Sequence, residues 1–147
     1  MDVLCSRLDI SGNMQNNMKI DLNTLFSMPR MGQLAFSEHN SVAGLYSMVR
    51  QFFRPDFKMV EVGSLEGIST LLFSQFVNTV YSVDCYDYKV PETGRIPEHD
   101  QMFVEAERMF IERTKDVSNI IKIKKKSIDA AKDFEDSSLD AVYIDAE

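Results

Sequence analysis

Disulfide scaffolds, zinc modules, membrane spans and polyanion binders each need something this chain has little of. Its 147 residues hold two cysteines, Cys5 and Cys85, far apart and with no CxxC pair or Cys/His ligand spacing. That pattern predicts two reduced thiols in a cytoplasmic protein and argues against a zinc module. No apolar run approaches the roughly eighteen residues of a membrane-spanning helix, and the opening stretch MDVLCSRLDISGNMQNNMKID holds no apolar segment of signal-peptide length. Neither secretion nor a membrane partner is expected. Positive charge is also in deficit, with 16 Lys and Arg against 23 Asp and Glu and a net charge of −7. This is the wrong sign for a domain that tracks a phosphate backbone by counterion release, so no nucleic-acid partner is expected either.

The chain does have the means to fold unaided. With 44% hydrophobic and 27% charged residues it is an ordinary globular composition. A chain of this length buries roughly 70% of the surface its unfolded form exposes, so no metal or disulfide staple is required. Most of the excess acid lies beyond residue 50.

Residues 1–40, rich in Asn, Met and Ser, read as an N-terminal arm with one short helix around Leu22–Met28. From Asn40 the pattern sharpens. Val42, Leu45, Tyr46, Val49, Phe52 and Phe53 recur at helical spacing until Pro55. A strand over Phe57–Val62 then meets the turn Gly-Ser-Leu-Glu-Gly, and a helix carries Ile68, Leu71, Leu72 and Phe76. Thr79–Asp84 reads as a second strand. The Pro- and Gly-bearing stretch YDYKVPETGRIPEHD reads as loop, with Asp100 capping a helix lined by Met102, Phe103, Ala106, Met109 and Phe110. Ile120–Lys126 makes a third strand, Ser127 caps a short helix through Ala131 and Phe134, and Leu139–Ile144 makes a fourth strand.

Strands alternating with helices predict an α/β, Rossmann-like, doubly wound parallel sheet. The expected order is 3-2-1-4, the sheet stopping after its fourth strand, with residues 41–147 as the folded part. In that order strands 3 and 4 are both edges. The lysines at 122 and 124–126 suit an edge, since they discourage edge-to-edge association, whereas Ala141-Val142-Tyr143-Ile144 carries no such protection.

Chemistry concentrates at Val60-Glu61-Val62-Gly63-Ser64-Leu65-Glu66-Gly67-Ile68-Ser69-Thr70. Glycines at a strand end that opens a helix permit a tight turn and close ligand approach. Asp84 follows Gly63 by 21 residues, at the end of the next strand, where an acid accepts hydrogen bonds from a ribose diol. Together they point to an adenosine-containing cofactor. The turn is G-x-x-x-G rather than G-x-G-x-x-G, and Glu61 and Glu66 flank it, which disfavours a pyrophosphate and suits the cationic S-adenosylmethionine. An NAD-binding half-domain is the weaker alternative.

The segments VEVGSLEGIST, VYSVDCYD, IKIKKKSIDAAKDF and SLDAVYIDAE, in this order, resemble the amino-terminal part of class I S-adenosylmethionine-dependent methyltransferases. The likeness runs over roughly residues 42–147, and the last segment is similar to small-molecule O-methyltransferases. It implies Glu61, Gly63, Ser64 and Gly67 around the methionine part of the cofactor, Ser69 near its carboxylate and Asp84 on the ribose. Cys85 and Tyr86 would lie beside the adenine and Ser127 at its edge. Asp145 is the catalytic candidate and, in metal-dependent members, a ligand of a divalent ion such as magnesium, whose other ligands come from a fifth strand that this chain lacks.

The expected function is therefore methyl transfer to an oxygen of a small-molecule acceptor. The alternative is a non-catalytic cofactor-binding or self-associating fragment, a homodimer paired through the edge of strand 4. His39 and His99 read as solvated surface residues, Glu147 as a mobile terminus, and Met102 and Met109 as core filler.

Overall fold

The computed structural model describes residues 20–29, 41–87 and 97–146, with the backbone alone at 41–42 and 97–100. Two helices come first, α1 over Leu22–Ser27 and α2 over Ser41–Phe52. Asp21 starts α1 by accepting the Thr24 amide at 3.1 Å, which satisfies one of the donors a helix start leaves unpaired. Leu25 is 1% exposed and belongs to the main core with Val49 of α2, so this part of the expected arm packs into the domain.

Then β1 (Lys58–Val62), α3 (Ile68–Ser74), β2 (Thr79–Val83), α4 (Pro97–Thr114), β3 (Ile120–Ile123), α5 (Ser127–Ala130) and β4 (Ala141–Ile144) alternate. The four strands form a parallel sheet of order β3-β2-β1-β4, as the sequence predicts. Met59 aligns with Val80 and Ala141, and Val62 with Val83 and Ile144, so β1, β2 and β4 end flush. No described helix is long and apolar enough to cross a membrane.

Several boundaries differ from expectation. The helix expected to start after Asp100 starts at Pro97, because proline's fixed φ and missing N–H suit the first helical position. Lys126, not Ser127, stands at the cap of α5, and Ser127 is its first helical residue. β3 stops at Ile123, so only Lys122 of the lysine run lies in the strand. Lys122 and Lys124 both pair with Glu107 of α4, and Lys125 pairs with Asp133. These lysines tie helices to the sheet as well as guarding its edge.

The two sheet faces are unequally covered. Met59 and Val80 lie under α1, α2 and α3, while Ile120 meets Ala106 and Phe110 of α4. The opposite face carries Val60, Val83, Tyr81 and Ile123 against Ala130, Phe134 and Leu139. Toward β4 that cover ends, leaving Val142 57% and Ile144 72% exposed. A short helix and a 3-10 turn over Ala131–Asp133 are too small to span four strands.

Candidate functional site

Sequence decides the shape of the turn after β1. Gly63 at φ +88° and Gly67 at +82° sit in the left-handed region that a Cβ disfavours, and Leu65 is held there too at +43°. The two glycines serve different neighbours. A Cβ on Gly63 would lie 2.2 Å from the Asp145 carbonyl oxygen, whereas one on Gly67 would lie 2.8 Å from the Phe110 ring of α4. Gly67, expected beside the cofactor, is thus required by helix packing.

Asp84 holds the turn in place. Its Oδ2 accepts the amides of Ser64 at 3.0 Å and Leu65 at 2.9 Å, and its Oδ1 accepts the Tyr86 amide at 2.8 Å. A carboxylate offers about four acceptor positions, so room is left for about one further donor such as a ribose hydroxyl. Tyr86, at φ +51°, is buried against Phe110, and its hydroxyl donates to the Leu65 carbonyl at 3.1 Å. Lys122 Nζ stands 5.0 Å from the ring centre. Burial, with Asp84 and Glu107 adding to it, pushes the Tyr86 phenol well above its ordinary value.

Beneath the turn lies a buried polar layer. Glu61 is 0% exposed; Thr70 donates its hydroxyl to Oε2, and Oε1 has no hydrogen-bond partner. Ser82 donates to Ser64 alongside. Burial raises the Glu61 carboxyl from 4.5 to about 7; the hydroxyls of Ser69 and Thr70 oppose this, and the negative charges of Asp145 and Asp84 reinforce it. On the flank, Arg113 of α4 donates to the Glu66 carbonyl at 3.0 Å and the Pro29 carbonyl at 2.7 Å. It fastens the turn to the segment after α1.

At the carboxyl ends of β1, β2 and β4 opens a cavity of about 640 Å³. Gly63, Asp84, Cys85 and Asp145 at the strand ends, Met102 and Phe103 of α4 and Ser127 and Ile128 of α5 line it. Ligands of open α/β sheets bind in this position, where the strand order reverses.

No family model matches the sequence, and no curated protein matches it. Among solved structures, the precorrin-6y C5,15-methyltransferase of Geobacter metallireducens GS-15 superposes with a TM-score of 0.51 and 13% identity, over 80% of this chain and 52% of that one. A candidate rRNA methylase of Clostridium thermocellum gives 0.50 and 16%, over 69% and 50%. This is a Rossmann-like methyltransferase fold. The chain spans about half the length of either structure, and at these identities the likeness speaks to the fold.

Within the methyltransferase fold the residues singled out from sequence divide into two groups. Gly63, Asp84, Cys85, Ser127 and Asp145 share the cavity wall. Glu61, Ser64, Gly67, Ser69 and Tyr86 form the layers that hold that wall, and none of them lines the cavity. Tyr86, expected beside the adenine, sets its ring edge-on to Phe110 behind the cavity wall. Met102, expected as core filler, lies on the wall. Arg113, and the contact of Phe110 with Gly67, escaped the sequence because the partners are 47 and 43 residues away, and no local pattern couples them. His39, Cys5 and Glu147 lie outside the described residues, as does the His99 side chain.

A divalent metal does not fit what is present. Asp145 is exposed, and among the described residues no three His, Cys, Asp or Glu side chains gather as a metal site.

Proposed function

We propose that this domain binds S-adenosylmethionine across the ends of β1, β2 and β4 and serves methyl transfer to an oxygen of a small molecule. The observation that carries the reading is the cavity at those strand ends, with Asp84 and Asp145 on its wall and a glycine turn beside them. Three carboxylates on the wall, Asp84, Asp87 and Asp145, outnumber its two lysines, Lys125 and Lys126, and suit a cationic ligand. They oppose a pyrophosphate, whose usual amide donors at Ser64 and Leu65 are already taken by Asp84. Net charge −7 favours a small acceptor over a nucleic acid.

When bound, S-adenosylmethionine supplies an electrophilic methyl group. The chain's own part is positioning. Asp84 receives a ribose hydroxyl while keeping the turn in shape, and the apolar side chains Met102, Phe103 and Ile128 on the wall shield the site from water. Asp145, on the same wall, accepts the proton of, or orients, an acceptor hydroxyl.

Calorimetry with S-adenosylmethionine, S-adenosylhomocysteine and NAD tests the reading. Ligand at a hundred times its dissociation constant adds about 2.7 kcal/mol of stability. Stabilisation by the two adenosyl sulfur ligands and not by NAD is expected, and none with either sulfur ligand refutes the proposal. A second reading, a non-catalytic binding domain that self-associates, is favoured by the exposed Val142 and Ile144 on the edge strand β4. Light scattering showing a monomer at high concentration would dismiss it.

A further inference from the structure

Glu61 poses a problem that the proposed function does not solve. A carboxyl group with no exposed surface has one oxygen on the Thr70 hydroxyl and the other on nothing. As an anion in that place it is disfavoured, because water is gone and the hydrogen bonds do not replace it.

Its surroundings are hydroxyls and acids. From α3 come the Ser69 and Thr70 hydroxyls, from β2 the Ser82 hydroxyl in register, with Asp84 just past the strand end, and from β4 Tyr143 in register, with Asp145 just past its end. Around the turn stand Glu66 and the Tyr86 phenol, and the cations on that side are Arg113, which acts on Glu66, and Lys122 and Lys124, which stand over the Tyr86 ring and pair with Glu107. Of the three acids of the cavity wall, Asp84, Asp87 and Asp145, two are fastened close to Glu61: Asp84 accepts the Ser64 and Leu65 amides, and the Asp145 amide donates to the Val62 carbonyl at 2.8 Å. A cation seated between them acts along the same path with the opposite sign.

We propose that the site exchanges a proton for its cationic ligand: Glu61 is a neutral acid in the free protein and becomes a carboxylate when a positively charged ligand group settles against the glycine turn. This rests on the reading of the ligand as S-adenosylmethionine. The balance is simple, since Glu61–COOH loses its proton to solvent and the ligand's fixed charge replaces it. In the free protein burial holds the group up to about 7, so the exchange falls near neutral pH. Below that pH the cation must displace a proton and binding weakens by up to about tenfold per unit; above it the proton is already gone and affinity levels off. Two ligand groups carry the required charge, the α-ammonium and the sulfonium.

The test is titration calorimetry of wild type and Glu61→Gln in buffers of different ionisation enthalpy, at pH 6 and pH 8. Gln keeps the shape and the acceptor for Thr70 but does not titrate, and the ligand's own amino group contributes equally to both proteins. Wild type is expected to release about one proton more than Glu61→Gln at pH 6, and almost none more at pH 8. S-adenosylhomocysteine, which keeps the ammonium and lacks the sulfonium, separates the sources: excess release with both ligands assigns the ammonium, and with S-adenosylmethionine alone the sulfonium. Equal proton counts in the two proteins at pH 6, with binding intact, overturn this inference and leave the proposed function standing. No binding of either ligand overturns both. Should Glu61→Gln not fold, the infrared carbonyl band of a protonated carboxyl in wild type at pH 6 gives the same answer. Its loss on adding S-adenosylmethionine supports the exchange, and its persistence refutes it.

Discussion

Replacing Asp84 by Asn tests whether the carboxylate, rather than the glycines alone, shapes the turn. In the wild type three backbone amides, those of Ser64, Leu65 and Tyr86, donate to it at 3.0, 2.9 and 2.8 Å. Hydrogen bonds to a charged acceptor contribute roughly 1.5–3 kcal/mol each, against about 1 kcal/mol for neutral pairs. In Asp84→Asn the amide oxygen can keep Ser64 and Leu65 as neutral bonds, each weaker by about 1 kcal/mol. The NH2 group then faces the Tyr86 amide, donor against donor, and that bond is lost. The sum is a destabilisation of about 3.5–5 kcal/mol, which for a chain of this size lowers Tm by roughly 7–20 °C. Thermal and urea denaturation read the stability, and amide hydrogen exchange reads the location. Exchange at Ser64, Leu65 and Tyr86 should accelerate well beyond that of core amides such as Val80. A Tm within about 2 °C of wild type, with the three amides still protected, would refute the reasoning. The result also bears on Asp84→Ala as a ligand test, because loss of binding there reports the turn as well as the ribose.

Two glycine substitutions should act with opposite signs in denaturation experiments. Gly63→Ala combines positive φ with a 2.2 Å approach to the Asp145 carbonyl, so it should cost on the order of 2–4 kcal/mol; Gly44→Ala, in α2 with nothing within 4 Å, should stabilise by about 0.5–1 kcal/mol. Stability should also fall with pH on account of Glu61. Its folded pKa of about 7 lies above the ordinary 4.5, so its contribution is whole below 4.5 and is lost as pH rises to 7. About 3 kcal/mol of difference between wild type and Glu61→Gln should change across that window, and a flat difference would contradict it. Tyr86→Phe, which keeps the ring on Phe110 but loses the bond to Leu65, should cost about 1 kcal/mol in urea denaturation, and a neutral outcome would remove the phenol from the turn's support.

Much of this arrangement was legible one element at a time. Runs such as Lys58–Val62 and Thr79–Val83, each followed by a helix, carry their periodicity locally, and parallel pairing with right-handed crossovers leaves few strand orders. The glycine turn and Asp84 were visible because their spacing reflects a single βαβ unit. Element ends were less so. Asp100 and Ser127 are good capping residue types, yet α4 starts at Pro97, whose fixed φ suits the first helical position, and Lys126 stands at the cap of α5.

Local order in the chain was enough to decide the alternation of strands and helices, the sheet order and which strand ends carry acids. Tertiary structure alone decided what those acids and glycines do. Gly67 answers to Phe110, Tyr86 supports Leu65 instead of lining the cavity, Asp84 clamps the turn, and Glu61 is left with one oxygen unpaired. The reason is physical. Periodicity records which side of an element avoids water, whereas hydrogen-bond partners and lost hydration depend on residues brought together from distant parts of the chain.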